Sequence, residues 1–177
     1  MKTSINSILV FFFIGLIVIS CEKENAKNKQ LNLTGQLISN STCKNGLKST
    51  SATNITPDSL SCIDYSFDNL SNKLIIKHIN AGFNCCPDSL YCNISLKNDT
   101  IVIQEFEAAA LCDCNCLYDL DIEINGVDSK KYQIKLIEPY LSEQSEIIFE
   151  IDLTKNMNGS FCVTRKQYPW GMNSINE

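Results

Sequence analysis

The sequence predicts an all-β fold, a mainly antiparallel β-sandwich of about eight or nine short strands that follows an apolar N-terminal helix. Three observations carry this. Apolar residues recur with a period of two in segment after segment, and no window sustains the i, i+3, i+4, i+7 pattern of an amphipathic helix. The connectors between these segments are short and rich in Asn, Asp, Ser and Gly. With 177 residues, 44% hydrophobic and 20% charged, the chain suits one packed domain with appendages and leaves little room for two cores.

In chain order, residues 31–38 and 62–68 are the first strand candidates. In 73–80, Leu74, Ile76 and His78 share the inward parity while Lys77 points outward. Residues 90–97 and 100–107 are β-rich runs joined by Asn98-Asp99, both of which tolerate positive φ and suit a tight hairpin turn. In 116–124, Cys116, Tyr118, Leu120, Ile122 and Ile124 line one face, and Asp119, Asp121 and Glu123 the other. Tyr132, Ile134 and Leu136 alternate with Gln133 and Lys135, and Ile147, Phe149, Ile151 and Leu153 with Glu150 and Asp152. Residues 160–166 supply the last candidate. Ser71-Asn72, Asn125-Gly126 and Asn158-Gly159 read as further turns, AlaAlaAlaLeu at 108–111 suits one helical turn, and 40–59 is the longest loop. Short strands on short polar connections favour a sandwich, Ig-like in architecture, with a small closed barrel as the alternative.

The N-terminus reads as an address. Lys2 precedes an unbroken apolar run from Ile8 to Ile19, which as a helix would span about 18 Å, too short for a hydrocarbon core of roughly 30 Å. The run ends in Val18-Ile19-Ser20-Cys21, which resembles the lipobox of bacterial lipoproteins, with Val where Leu is commoner. That resemblance implies a signal peptide over 1–20, cleavage after Ser20, and diacylglyceryl and palmitate-type acyl groups on Cys21 that anchor the chain in a membrane. Residues 22–30 hold one apolar residue in nine and read as a tether reaching roughly 17 Å. The expected organisation is therefore signal peptide 1–20, lipidated Cys21 and tether 21–30, and one cysteine-rich domain over 31–177. No Asp follows Cys21, which favours the outer membrane, on its periplasmic or its surface face. The body is similar to small cysteine-rich envelope lipoproteins with β-sandwich domains, a likeness that implies location and no particular activity.

Nine further cysteines remain: Cys43, Cys62, Cys85, Cys86, Cys92, Cys112, Cys114, Cys116 and Cys162. An exported protein meets an oxidising compartment, so disulfides are the expectation, and an odd count leaves at least one thiol outside them. Adjacent Cα atoms lie about 3.8 Å apart, below the usual disulfide range, so Cys85 and Cys86 need different partners. Cys112, Cys114 and Cys116 at strand spacing also look beyond one another. A Cys-Cys pair facing a Cys-x-Cys-x-Cys run would cross-link two segments of the core.

The runner-up reading is a Zn or Cu site built from His78, Cys85, Cys86, Cys112, Cys114 and Cys116, since thiolates and imidazole suit these ions. The leading reading expects no cofactor and treats His78, the sole histidine, as a buried hydrogen-bonded core residue. No enzyme activity is expected: Gly-x-Ser-x-Gly, His-Glu-x-x-His and Gly-rich phosphate loops are missing from the sequence. Glu105 and Glu107 offer a carboxylate pair, but spacing alone cannot set their separation. Asp119, Asp121 and Glu123 read as a solvated face, and Tyr168-Pro169-Trp170-Gly171 as packing at the sandwich edge. A net charge of −5 opposes nucleic-acid binding. The function read from sequence is a structural or binding role at the envelope, towards a protein or glycan partner.

Overall fold

Asn98 and Asp99 both adopt left-handed backbone, with φ of 47° and 62°, and the two-residue turn they form sets Lys97 opposite Thr100. This hairpin belongs to a computed structural model that describes residues 32–44 and 56–166, all within the compact unit Leu31–Glu177. Cys21, the apolar run before it and Tyr168-Pro169-Trp170-Gly171 lie outside the described residues. The described residues form nine strands, in order β1 (Thr34–Asn40), β2 (Leu60–Asp68), β3 (Lys73–Asn84), β4 (Leu90–Lys97), β5 (Thr100–Glu107), β6 (Asn115–Asn125), β7 (Lys131–Ile137), β8 (Ile148–Asp152) and β9 (Asn158–Thr164). The described residues contain no helix.

The strands form two sheets, a five-stranded one in the order β1-β6-β3-β2-β9 and a four-stranded one in the order β4-β5-β7-β8. Every pairing is antiparallel except β5 with β7, which is parallel. The fold is an all-β sandwich, as the period-two alternation predicts. Its main core lies between the sheets: Ile63, Phe67, Leu74, Ile76, Ile122 and Ile124 from one meet Ile101, Ile103, Ile134 and Leu136 from the other. Each such side chain contributes about 1.5–3 kcal/mol by leaving water. The sheets close tightly where β1 meets β4. A Cβ on Gly35 would come within 2.6 Å of the Ile94 side chain and 2.8 Å of the Glu123 carbonyl, so only glycine fits there.

Three local expectations are corrected. The strand expected to end at 80 continues to Asn84, because a bulge between His78 and Ala81 absorbs Asn80 at φ 64° and lets pairing with β6 resume. Asn80 is held there by its side-chain amide, which donates to the Leu60 and Pro57 carbonyls at 2.8 and 3.1 Å. Beyond the bulge Ala81 and Phe83 join Cys116, Tyr118 and Leu120 in a second, smaller core. The alanine block at 108–111 makes no helical turn but runs extended beside 85–89, with Ala108 N donating to Ser89 O and Ala110 bridged to Pro87. Asn158-Gly159 opens β9 and is not a turn. Gly159 sits under the Tyr65 ring, where a Cβ would fall 2.7 Å from the phenolic oxygen.

Candidate functional site

Two constellations carry the chemistry: a sealed polar cluster between the sheets and a cysteine-rich corner at the end of β3.

The polar cluster is built by strand parity. Leu74, Ile76 and His78 alternate inward on β3, and Ile101, Ile103 and Glu105 do the same on β5, so His78 and Glu105 meet across the core. His78 Nδ1 lies 2.8 Å from Glu105 Oε1, and Nε2 lies 2.9 Å from the Ser61 hydroxyl. Just beyond β9, Arg165 grips Glu138 with Nη2 at 2.8 and 2.6 Å from the two carboxylate oxygens, and its Nη1 donates to the Ser145 carbonyl. Glu138 Oε1 stands 3.9 Å from His78 Nε2, which joins the two pairs into one network.

Charge decides the protonation of this network. Two carboxylates and one guanidinium leave one negative charge in a dry core unless the imidazole takes up a proton, and an uncompensated buried charge is expensive. Burial by itself pushes the His78 pKa down, but the facing carboxylates of Glu105 and Glu138 outweigh it and hold the ring above its ordinary value. Both ring N–H groups then donate, Nδ1–H to Glu105 and Nε2–H to Ser61. Burial pushes the Glu138 carboxyl upward, against the pull of His78 and Arg165. Cys92, opposite Glu105 on β4, is a buried thiol outside any disulfide; burial and the Glu105 charge push it up to about 11.

Ser61, His78 and Glu105 share the connectivity of a nucleophile, base and orienting acid. Their exposures are 0%, 0% and 2%, so no solute reaches the hydroxyl in this conformation. The arrangement holds the two sheets in register.

The cysteine corner follows the predicted logic in part. Cys85 pairs with Cys114, Cys86 with Cys112, Cys43 with Cys116 and Cys62 with Cys162. Adjacent cysteines take different partners, and the Cys-x-Cys-x-Cys run looks outside itself, as spacing requires. The Cys85-Cys86 pair faces two cysteines of the Cys112-Cys114-Cys116 run and cross-links two segments, as expected, at the ends of β3 and β6. Every bridge joins neighbouring strands of the five-stranded sheet or their continuations, and none ties one sheet to the other. Of the six residues in the runner-up metal set, the structure gathers Cys85, Cys86 and Cys112, whose sulfurs lie within 4.8 Å of one another, with Cys114 bonded to Cys85. His78 belongs to the sealed cluster and Cys116 to the bridge with Cys43.

The other candidates disperse. Glu107 accepts from the Asn84 backbone at 2.8 Å and from the Tyr140 hydroxyl, so it serves a different network from Glu105. Asp119 pairs with Lys44, Asp121 with Ser39 at 2.6 Å and Glu123 with Lys73 at 2.9 Å, each on its own partner. Sequence reasoning missed Ser61, Glu138 and Arg165. Glu105 carried a signal, an acid at the inward parity of an apolar strand; Arg165, beyond the end of β9, carried none.

Comparisons with protein-family models, curated proteins and solved structures give no significant match to this chain.

Proposed function

We propose that the chain is a lipoprotein held in the outer membrane through Cys21, whose disulfide-stabilised sandwich has a non-enzymatic binding or structural role at the cell envelope. The observation that carries the reading is the sequence Val18-Ile19-Ser20-Cys21 directly after a twelve-residue apolar run. The four disulfides agree with it, since such bridges persist where the medium is oxidising. A binding role is favoured over catalysis because the Ser–His–Glu relay is sealed, whereas the outer face of the four-stranded sheet offers apolar surface. Tyr91 on β4 stacks on Phe106 of β5 at 5.1 Å, Tyr91 is 45% exposed, and Ile137 on neighbouring β7 is 38% exposed. A protein or glycan partner would bury these rings.

Metabolic labelling with an alkyne-bearing palmitate tests the anchor. The wild-type chain takes up label and fractionates with membranes, and Cys21→Ser does neither. Label retained by Cys21→Ser would overturn the assignment.

A further inference from the structure

We propose that Cys85, Cys86, Cys112 and Cys114 become a four-thiolate site for Zn²⁺ when their two disulfides are reduced. The proposal does not rest on the envelope reading. It rests on two observations at one corner.

The first is the convergence of sulfur. The sulfurs of Cys85, Cys86 and Cys112 fall within 4.8 Å of one another, and that of Cys114 is joined to Cys85. Tetrahedral zinc with Zn–S bonds of about 2.3 Å needs ligand sulfurs about 3.8 Å apart. Opening the two S–S bonds widens the bonded pairs, the remaining gaps among Cys85, Cys86 and Cys112 close by about 1 Å, and the Cys114 sulfur, outside that trio, turns in once its bond to Cys85 opens.

The second is a scaffold that does not depend on the disulfides. The Asn84 side chain, 3% exposed, bridges both cysteine segments. Its amide donates to the Cys112 carbonyl at 2.5 Å, and its oxygen accepts from the Cys86 and Cys112 backbone N–H groups at 2.9 and 3.3 Å. Asn84 is itself fixed by its N–H on Glu107 and by the Tyr118 hydroxyl on its carbonyl at 3.0 Å. Cys85 N donates to Cys114 O at 3.0 Å, and Leu111 N to Cys86 O at 3.3 Å. These bonds hold the two backbones together after the sulfurs part, so the ligands start near their final positions.

The chemistry balances. Each disulfide takes two electrons and two protons from one dithiol reductant, which is oxidised to its own disulfide. The four thiols formed lose four protons on binding one Zn²⁺, giving a site of net charge −2. Cys85, Cys86 and Cys112 are half-buried and Cys114 is exposed, so reductant and metal reach all four. His78 takes no part, because Ser61 and Glu105 occupy its ring nitrogens.

The test uses the full chain carrying Cys21→Ser, reduced anaerobically with a dithiol and then freed of it. Co²⁺ is titrated first and Zn²⁺ added after. The reduced chain should bind one Co²⁺ with the intense visible absorption of tetrahedral thiolate coordination, lose it to Zn²⁺, and bind none when oxidised. Cys86→Ala and Cys114→Ala should each weaken binding at least tenfold. His78→Gln and the double variant Cys43→Ala/Cys116→Ala should bind as the parent does. Absence of stoichiometric Co²⁺ binding overturns the proposal. Equal weakening by Cys43→Ala/Cys116→Ala also overturns it, since it would mean unspecific capture by any thiols. Where reduction unfolds the chain, Zn²⁺ must restore the far-ultraviolet β signal, and failure to do so overturns it too.

Discussion

His78 on β3 and Glu105 on β5 meet at 2.8 Å across the gap between the two sheets, neither with appreciable exposed surface. The contact matters because the disulfides stay within the five-stranded sheet. What joins the sheets is the apolar core and this polar bridge, extended by Glu138 beyond β7 and Arg165 beyond β9. A buried ionic network adds little net stability over a well-packed apolar core, but breaking one member is costly. The network therefore acts by penalising any arrangement of the sheets that separates its partners.

Removing one partner exposes that penalty. Arg165→Met leaves Glu138 buried without its bidentate partner and should cost about 3–5 kcal/mol in urea unfolding. Asp152, with a side chain only 18% exposed but facing Lys131 and Lys155 at the surface, is the contrast. Lys131→Met there should leave the urea midpoint close to that of the wild type. Similar losses in the two variants would mean that the Arg165–Glu138 pair is not buried in solution.

The network also ties stability to pH. His78 has a folded pKa above its unfolded value of about 6.5, so the folded state binds the proton more tightly. Its contribution is fully present below that value and is lost as pH rises through the folded pKa. Glu138, also raised, acts with the same sign. Between pH 6 and 8 the carboxylates with lowered pKa, Asp68, Glu123 and Asp152, are ionised in both states and contribute no slope. Wild type should therefore lose stability from pH 6 to pH 8, with a much flatter profile for His78→Gln. Urea midpoints at the two pH values decide it; a wild-type stability that rises with pH would mean a neutral imidazole.

Most of the architecture was legible because strand signals are local. All nine predicted segments are strands, and the inward parity of Leu74, Ile76 and His78 is as read. The Asn98-Asp99 turn was legible for the same reason, since its conformation depends on those two residues. What escaped depends on distant partners. The bulge at Asn80 is stabilised by Leu60, Pro57 and Asp119, and the extended course of 108–111 by pairing with 85–89. Alanine's helix propensity predicts otherwise for that segment and is outweighed by the pairing. Asn158-Gly159 misled because glycine there answers to the Tyr65 ring and not to a turn. In the polar cluster only His78 and Glu105 stood out, because neither periodicity nor spacing links them to Ser61, Glu138 or Arg165.

The odd cysteine gives a direct count. Among the described residues Cys92 is the thiol outside the four bridges; it is buried, and its pKa, pushed up to about 11, keeps it protonated at ordinary pH. The Cys21→Ser chain should resist iodoacetamide while native at pH 8 and take up one equivalent when denatured without reductant. Intact mass reads both states. Two or more equivalents in the denatured chain would remove at least one bridge from the scheme.

The bridges should differ in value with the loops they close. Cys62 and Cys162 face each other on β2 and β9 and enclose a sequence separation of 100 residues; Cys86 and Cys112 enclose 26. Loop-closure entropy in the unfolded chain assigns much more to the first than to the second, because Cys86–Cys112 is nested inside Cys85–Cys114, which stays closed and already constrains the same loop. The first also secures β9, which pairs with β2 alone at the sheet edge and leads into Arg165. Cys62→Ala/Cys162→Ala should therefore lower the urea midpoint more than Cys86→Ala/Cys112→Ala. It should not flatten the pH dependence between 6 and 8, because the Arg165 charge pulls the His78 pKa down, and a frayed β9 that withdraws it leaves Glu105 and Glu138 to hold the imidazole proton. A larger loss in Cys86→Ala/Cys112→Ala would show that native contacts at the Asn84 corner, and not loop length, set the contribution of these disulfides.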